Sequence, residues 1–118
     1  MQRWTLSLLG LLTVVPAFAA IRSYQFQSGS SDLPVATISQ RGRLFSMSSV
    51  TLTAGQRLRI VNDDADLQHH AYVDSNTFKF DSGDQEPGSQ TDITFPVTGV
   101  FTVQCGIHPK MKMVVTVK

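Results

Sequence analysis

From residue 35 onward, every β-prone run is cut short by turn-forming residues, and this punctuation limits the fold more than any other feature. The breaks are Ala54-Gly55, Asn62-Asp63-Asp64, Asp74-Ser75-Asn76, Asp81-Ser82-Gly83 with Pro87-Gly88, and Thr98-Gly99. Gly reaches positive φ without a steric penalty, Pro presets φ, and Asn and Asp bond their own backbone, so each cluster turns the chain for a physical reason. Between them lie runs at 35–40, 50–53, 57–61, 69–73, 78–80, 90–95, 100–104 and 112–117. Strands this short and regularly spaced imply an all-β protein, an antiparallel sandwich or barrel of about seven to eight strands. No stretch sustains a three-four apolar period, so any helix is short.

Alternation supports this reading where it can be tested. Leu58 and Ile60 share one face of their run, with Arg57 and Arg59 on the other. Met111, Met113, Val115 and Val117 share a parity against Lys112, Val114, Thr116 and Lys118, which points Met111 inward above two valines.

The first residues read differently. Met1-Gln2-Arg3 is a short basic start, 6–15 is an apolar run, and Ala17-Phe18-Ala19 is a small-x-small cleavage signature. The run is shorter than the ~20 residues a membrane-spanning helix needs. Residues 1–19 are therefore expected to be a removed secretory signal, with no membrane insertion of the mature chain. Residues 20–33 contain Gln27-Ser28-Gly29-Ser30-Ser31-Asp32 and are expected to be a flexible segment or, at 23–26, an edge strand. A single domain then occupies 34–118. Without Arg3, nine basic residues oppose nine acidic ones. That balance speaks against non-specific nucleic-acid binding and against a polybasic membrane patch.

Cys105 is the only cysteine, so no disulfide forms within the chain. A lone thiol in an exported protein is buried, paired between chains, reactive or metal-bound. It opens the segment Cys105-Gly106-Ile107-His108-Pro109-Lys110-Met111, where Cys, His and Met recur every three residues between two strands. The other histidines, His69 and His70, begin an earlier strand. One thiolate, two imidazoles and one thioether suit copper: the sulfur donors are soft, and imidazole accepts both oxidation states. Zinc prefers four close donors and finds a poor fourth in a thioether. An Fe–S cluster needs more cysteines. A nucleophilic Cys–His pair lacks an evident orienting third group.

These residues resemble the cupredoxins, the small blue-copper electron carriers that include plastocyanin, pseudoazurin and amicyanin. The resemblance spans residues 35–118. It is nearest amicyanin in ligand-loop spacing, since only two residues separate His108 from Met111 and Pro109 follows the histidine. Phe80-Asp81-Ser82-Gly83, Pro87-Gly88, Phe95 and Gly99-Val100-Phe101 leading into Cys105 follow the same pattern. The resemblance implies a Greek-key sandwich holding one type 1 copper through Cys105, His108, Met111 and the histidine that opens the middle strand. His69 is the better choice for that position, because it puts apolar Ala71 and Val73 on its face, whereas His70 would put Tyr72 and Asp74 there. His70 then takes a position commonly held by Asn, either bonding across to the ligand loop or solvated. Gln68 and Ile107 stand where the family frequently has Pro. Met113, two residues deeper than Met111, is the rival axial ligand but reads as core filler, and Met47 reads the same way. Asp63, Asp64 and Asp66 read as a solvated turn, with a local surface for a basic partner as the alternative.

By the same resemblance the chain is expected to be a monomeric, periplasmic one-electron carrier. His108 would be the electron port, and a dehydrogenase, a c-type cytochrome or an oxidase would dock transiently there. Copper delivery or buffering on the same fold is the alternative. An enzymatic role would require further copper ligands, and His70 is the only spare histidine.

Overall fold

The runs between the turns become nine strands: β1 Ala36–Arg41, β2 Leu44–Phe45, β3 Ser49–Leu52, β4 Arg57–Asn62, β5 Ala71–Asp74, β6 Lys79–Asp81, β7 Gln90–Thr94, β8 Gly99–Cys105 and β9 Lys112–Val117. The computed structural model describes residues 33–118. The expected signal at 1–19 and the candidate edge strand at 23–26 lie outside the described residues. No helix occurs among the described residues, and accordingly none is long and apolar enough to cross a membrane.

The strands form two sheets, ordered β2-β1-β4-β7 and β3-β9-β8-β5-β6. Both are mixed rather than purely antiparallel: β1 runs parallel to β4, and β3 parallel to β9. Period-two alternation dictates which side chains point inward, but it says nothing about which strand becomes the neighbour. The extra strand, β2, is the short return arm of a hairpin from β1, with Arg41 opposite Leu44. Gly42 and Arg43 turn the corner at φ values of 60° and 63°. A two-residue turn with both φ positive matches strand twist, but the second position holds a side chain where Gly or Asn is usual.

The core lies between the sheets. Ile38, Leu58, Ile60 and Ile93 face inward from one, and Val73, Phe101, Val103, Met113, Val115 and Val117 from the other, all nearly sealed from solvent. Each such aliphatic side chain stabilises the fold by roughly 1.5–3 kcal/mol relative to exposure. Phe95 sits at their centre, its ring centroid 5.2 Å from those of both Phe78 and Phe101. On the outer face of β4, Arg59 forks onto Asp92 of β7 at 2.8 and 2.9 Å, and Arg57 approaches the same carboxylate at 3.4 Å. Met113 is core filler, as its parity implies. Met47 is not: it is half exposed in the bend after β2, where no strand fixes an inward direction.

This arrangement brings the chemistry to one end of the sandwich. The register pairs Ala71 with Cys105 and Gln104 with Lys112. Cys105 therefore ends β8 beside the start of β5, just past His69, and the chain from Cys105 to Met111 must turn back at once into β9.

Candidate metal centre

The ligand loop closes on itself. Cys105 N–H donates to the Met111 carbonyl at 3.1 Å, and Met111 N–H donates to the His108 carbonyl at 2.9 Å. These two bonds fold Cys105, His108 and Met111 into one tight turn. Cys105 and Met111 are buried, while His108 is half-buried. Met111 stands outside the main core cluster that contains Met113, at the ligand end of the same strand face.

His69 reaches the loop from a framework of its own. Its backbone exchanges both hydrogen bonds with Gln85, at 2.7 and 3.0 Å. The buried Gln85 side chain accepts from Ala71 N–H and from the Gln40 amide, and donates to the Thr91 hydroxyl. Buried Asn62 donates to the carbonyls of Leu67 and Gln85 and accepts from Asp64 N–H at 3.1 Å. With these groups bonded, the loop between β4 and β5 has a defined path and His69 a fixed position.

Three donor atoms converge as a result. His69 Nδ1 lies 3.3 Å from His108 Nδ1, and Cys105 Sγ lies 3.8 and 3.7 Å from the two nitrogens. A circle through three points with these separations has a radius of about 2.1 Å, close to the roughly 2.0–2.3 Å that imidazole nitrogen and thiolate sulfur keep from a zinc ion. The triad therefore fits a first-row metal ion. Among the described residues it is the one group of three or more His, Cys, Asp or Glu whose donor atoms cluster closely enough to hold one.

The far side of the His69 ring fixes which nitrogen faces the triad. Its Nε2 lies 2.6 Å from Asp64 Oδ2, whose side chain is 10% exposed. The other carboxylate oxygen accepts Gly42 N–H at 3.0 Å. The Gly42 N–H first, and then His69, hold the Asp64 carboxyl below the usual range. An ionised Asp64 accepts a hydrogen bond from Nε2–H, which keeps the ring proton there and leaves the Nδ1 lone pair facing the other donors. His108 is held below the usual histidine range by burial first, with the positive charge of Arg43 adding to it. Both effects favour a neutral imidazole able to ligate.

Of the residues singled out in the sequence, His69, Cys105 and His108 are brought together, with Ala71 and Val73 buried on the His69 face. His70 does not join the triad: its Nε2 pairs with Asp81 at 2.6 Å, its ring packs over Gly106 of the ligand loop, and its backbone carbonyl accepts Gly106 N–H at 2.8 Å. Three residues have roles the sequence alone did not assign. Asp64 is the partner of His69 rather than part of a solvated turn, while Gln85 and Asn62 frame that histidine's backbone. A ligand histidine needs an acceptor at its second nitrogen, so an acidic residue just before His69 was the available signal.

No protein-family model and no curated protein matches this sequence. Solved structures do. A copper-containing nitrite reductase from Thermus scotoductus SA-01 aligns over 72% of this chain with 26% identity and a TM-score of 0.66, and the chain spans only 22% of that protein. Amicyanin from Paracoccus versutus aligns over 75% of this chain and 88% of its own, with 21% identity and a TM-score of 0.65. A reduced amicyanin variant aligns over 75% and 89%, with 14% identity and a TM-score of 0.66. With two packed sheets, these structural likenesses and a His–Cys–His cluster at one end, the chain has a cupredoxin-like fold.

Proposed function

We propose that this chain is an exported, periplasmic electron carrier that holds one copper ion through His69, Cys105 and His108, with Met111 as the weak axial ligand. The observation that carries the proposal is the convergence of one buried thiol and two Nδ1 atoms around a common centre. Copper in such a set supplies one-electron exchange between Cu(I) and Cu(II). The protein contributes position. Asp64 holds the His69 ring with its lone pair inward, Gln85 and Asn62 hold its backbone, and the Cys105–Met111 bonds hold the loop. Donors fixed this way rearrange little when the charge at the centre changes. His108 is the one member of the triad that meets solvent, so it is the port for the electron. The export reading rests on residues 1–19. The non-enzymatic reading is supported by the single donor cluster of this kind among the described residues.

The test is the visible and EPR spectrum of the Cu(II)-reconstituted protein beside Cys105→Ser and Met111→Leu. An intense blue thiolate-to-copper band with narrow hyperfine splitting, abolished by Cys105→Ser and retained but altered in Met111→Leu, is expected. A pale protein with ordinary splitting would replace electron transfer by copper delivery or buffering. Failure to bind copper would overturn both.

A further inference from the structure

Arg43 and Leu44, at the corner between β1 and β2, share one shallow depression with Ile107, His108, Pro109 and Lys110 of the ligand loop. Leu44 is 67% exposed and Ile107 is 42% exposed. Apolar side chains held in solvent on two separate loops, meeting over a half-buried ligand, form a surface suited to contact.

The charges around it are of one sign. Three of the other cations are paired, Arg57 and Arg59 with Asp92 and Lys79 with Asp74, whereas Arg41, Lys112 and Lys118 form no ion pair among the described residues but do not line this depression. Arg43 and Lys110 have no carboxylate partner among the described residues. Asp64, bonded to Gly42 at the same corner, is occupied by that N–H and by His69. Arg43 also keeps a left-handed backbone at φ 63°, a conformation that disfavours any side chain with a Cβ. The chain thus presents an unpaired guanidinium, carried on a strained turn, beside the electron port.

We infer that the β1–β2 corner and the loop around His108 form a single docking face whose occupant is a redox protein with carboxylates ringing its own electron port. This rests on the electron-carrier reading and names the partner's chemistry. The apolar centre excludes water beside His108, while Arg43 and Lys110 set orientation and encounter rate. With a formal net charge of only +1, the whole molecule exerts little pull, so steering at this face depends on local charge, which Arg43 and Lys110 supply.

Two measurements test it. In the first, the diamagnetic Cu(I) form is titrated with hexacyanochromate(III), a paramagnetic trianion, and amide line-broadening is mapped by NMR. Broadening centred on Arg43, Leu44, Ile107 and Lys110 is expected; broadening centred on Lys79 or Lys118, or spread evenly, would overturn the inference. In the second, one electron passes from the Cu(I) protein to hexacyanoferrate(III), and the rate is followed from about 0.01 M to 0.15 M salt, as the Debye length falls from about 30 Å to 8 Å. The parent should slow at least about fivefold, and the Arg43→Gln, Lys110→Gln variant should lose most of that dependence. Arg43→Gly guards against misfolding, since glycine suits the turn: it should melt at a higher temperature while its salt dependence falls. An unchanged slope in these variants, or a rate that rises with salt, would sink the acidic-partner assignment. Should copper fail to bind reversibly, the carrier reading falls, while the hexacyanochromate map on the apoprotein still decides where anions dock.

Discussion

Replacing Asp64 by Ala removes the acceptor behind His69 and frees the ring to turn. Such a change beyond the ligands themselves typically lowers metal affinity by about 10–100-fold. Competition against a copper chelator should show a loss in that range, with the near-UV circular dichroism of the core unchanged, because Asp64 lies outside the core cluster. Unchanged affinity would mean that Gln85 and Asn62 orient the ring unaided. The ligand types themselves were legible early, since a lone thiol and clustered imidazoles are rare enough to stand out. Asp64 was not, because three aspartates around a turn suit solvent equally well. Only the fold reveals that one of them points inward, toward Gly42 N–H and His69.

Strand β4 shows how one element serves two faces. Leu58 and Ile60 are fully buried, while Arg57 and Arg59 reach across to Asp92 on β7. Hydrogen bonding to Arg59 is the main cause that keeps the Asp92 carboxyl below its usual range. A depressed folded-state value stabilises the protein at pH above the ordinary aspartate range, near about 3.9, and the benefit fades as pH falls through the depressed value. Thermal melts of the parent and Asp92→Asn should therefore differ at about pH 6 and converge well below pH 4. A gap that persisted in acid would show that packing, not charge, accounts for it. The two faces of β4 were plain from its sequence. The β1–β2 corner was hidden, because a two-residue return strand is too short to show any alternation, and Met47 just beyond it was misread as core for the same reason.

Across the whole molecule, stability depends on the contact between sheets. Phe95, just after β7 of one sheet, is fully buried in a three-ring cluster with Phe78 and with Phe101 of the other sheet. Phe95→Ala should lower the unfolding free energy of the apoprotein by about 3–5 kcal/mol in a urea titration. That is a large share of the roughly 5–15 kcal/mol a domain possesses. A loss under about 1 kcal/mol would mean that the neighbouring rings collapse into the space. The all-β class and the inward faces were readable along the chain. The parallel pairs β1–β4 and β3–β9 were not, since they join segments separated by other strands and carry no local signature. One consequence of burying every donor but His108 concerns exchange of the ion rather than of electrons. Copper held by the triad must enter and leave past His108, through the face proposed for docking. A bound partner is then also a stopper, and extraction by a chelator should be slowest while that face is covered.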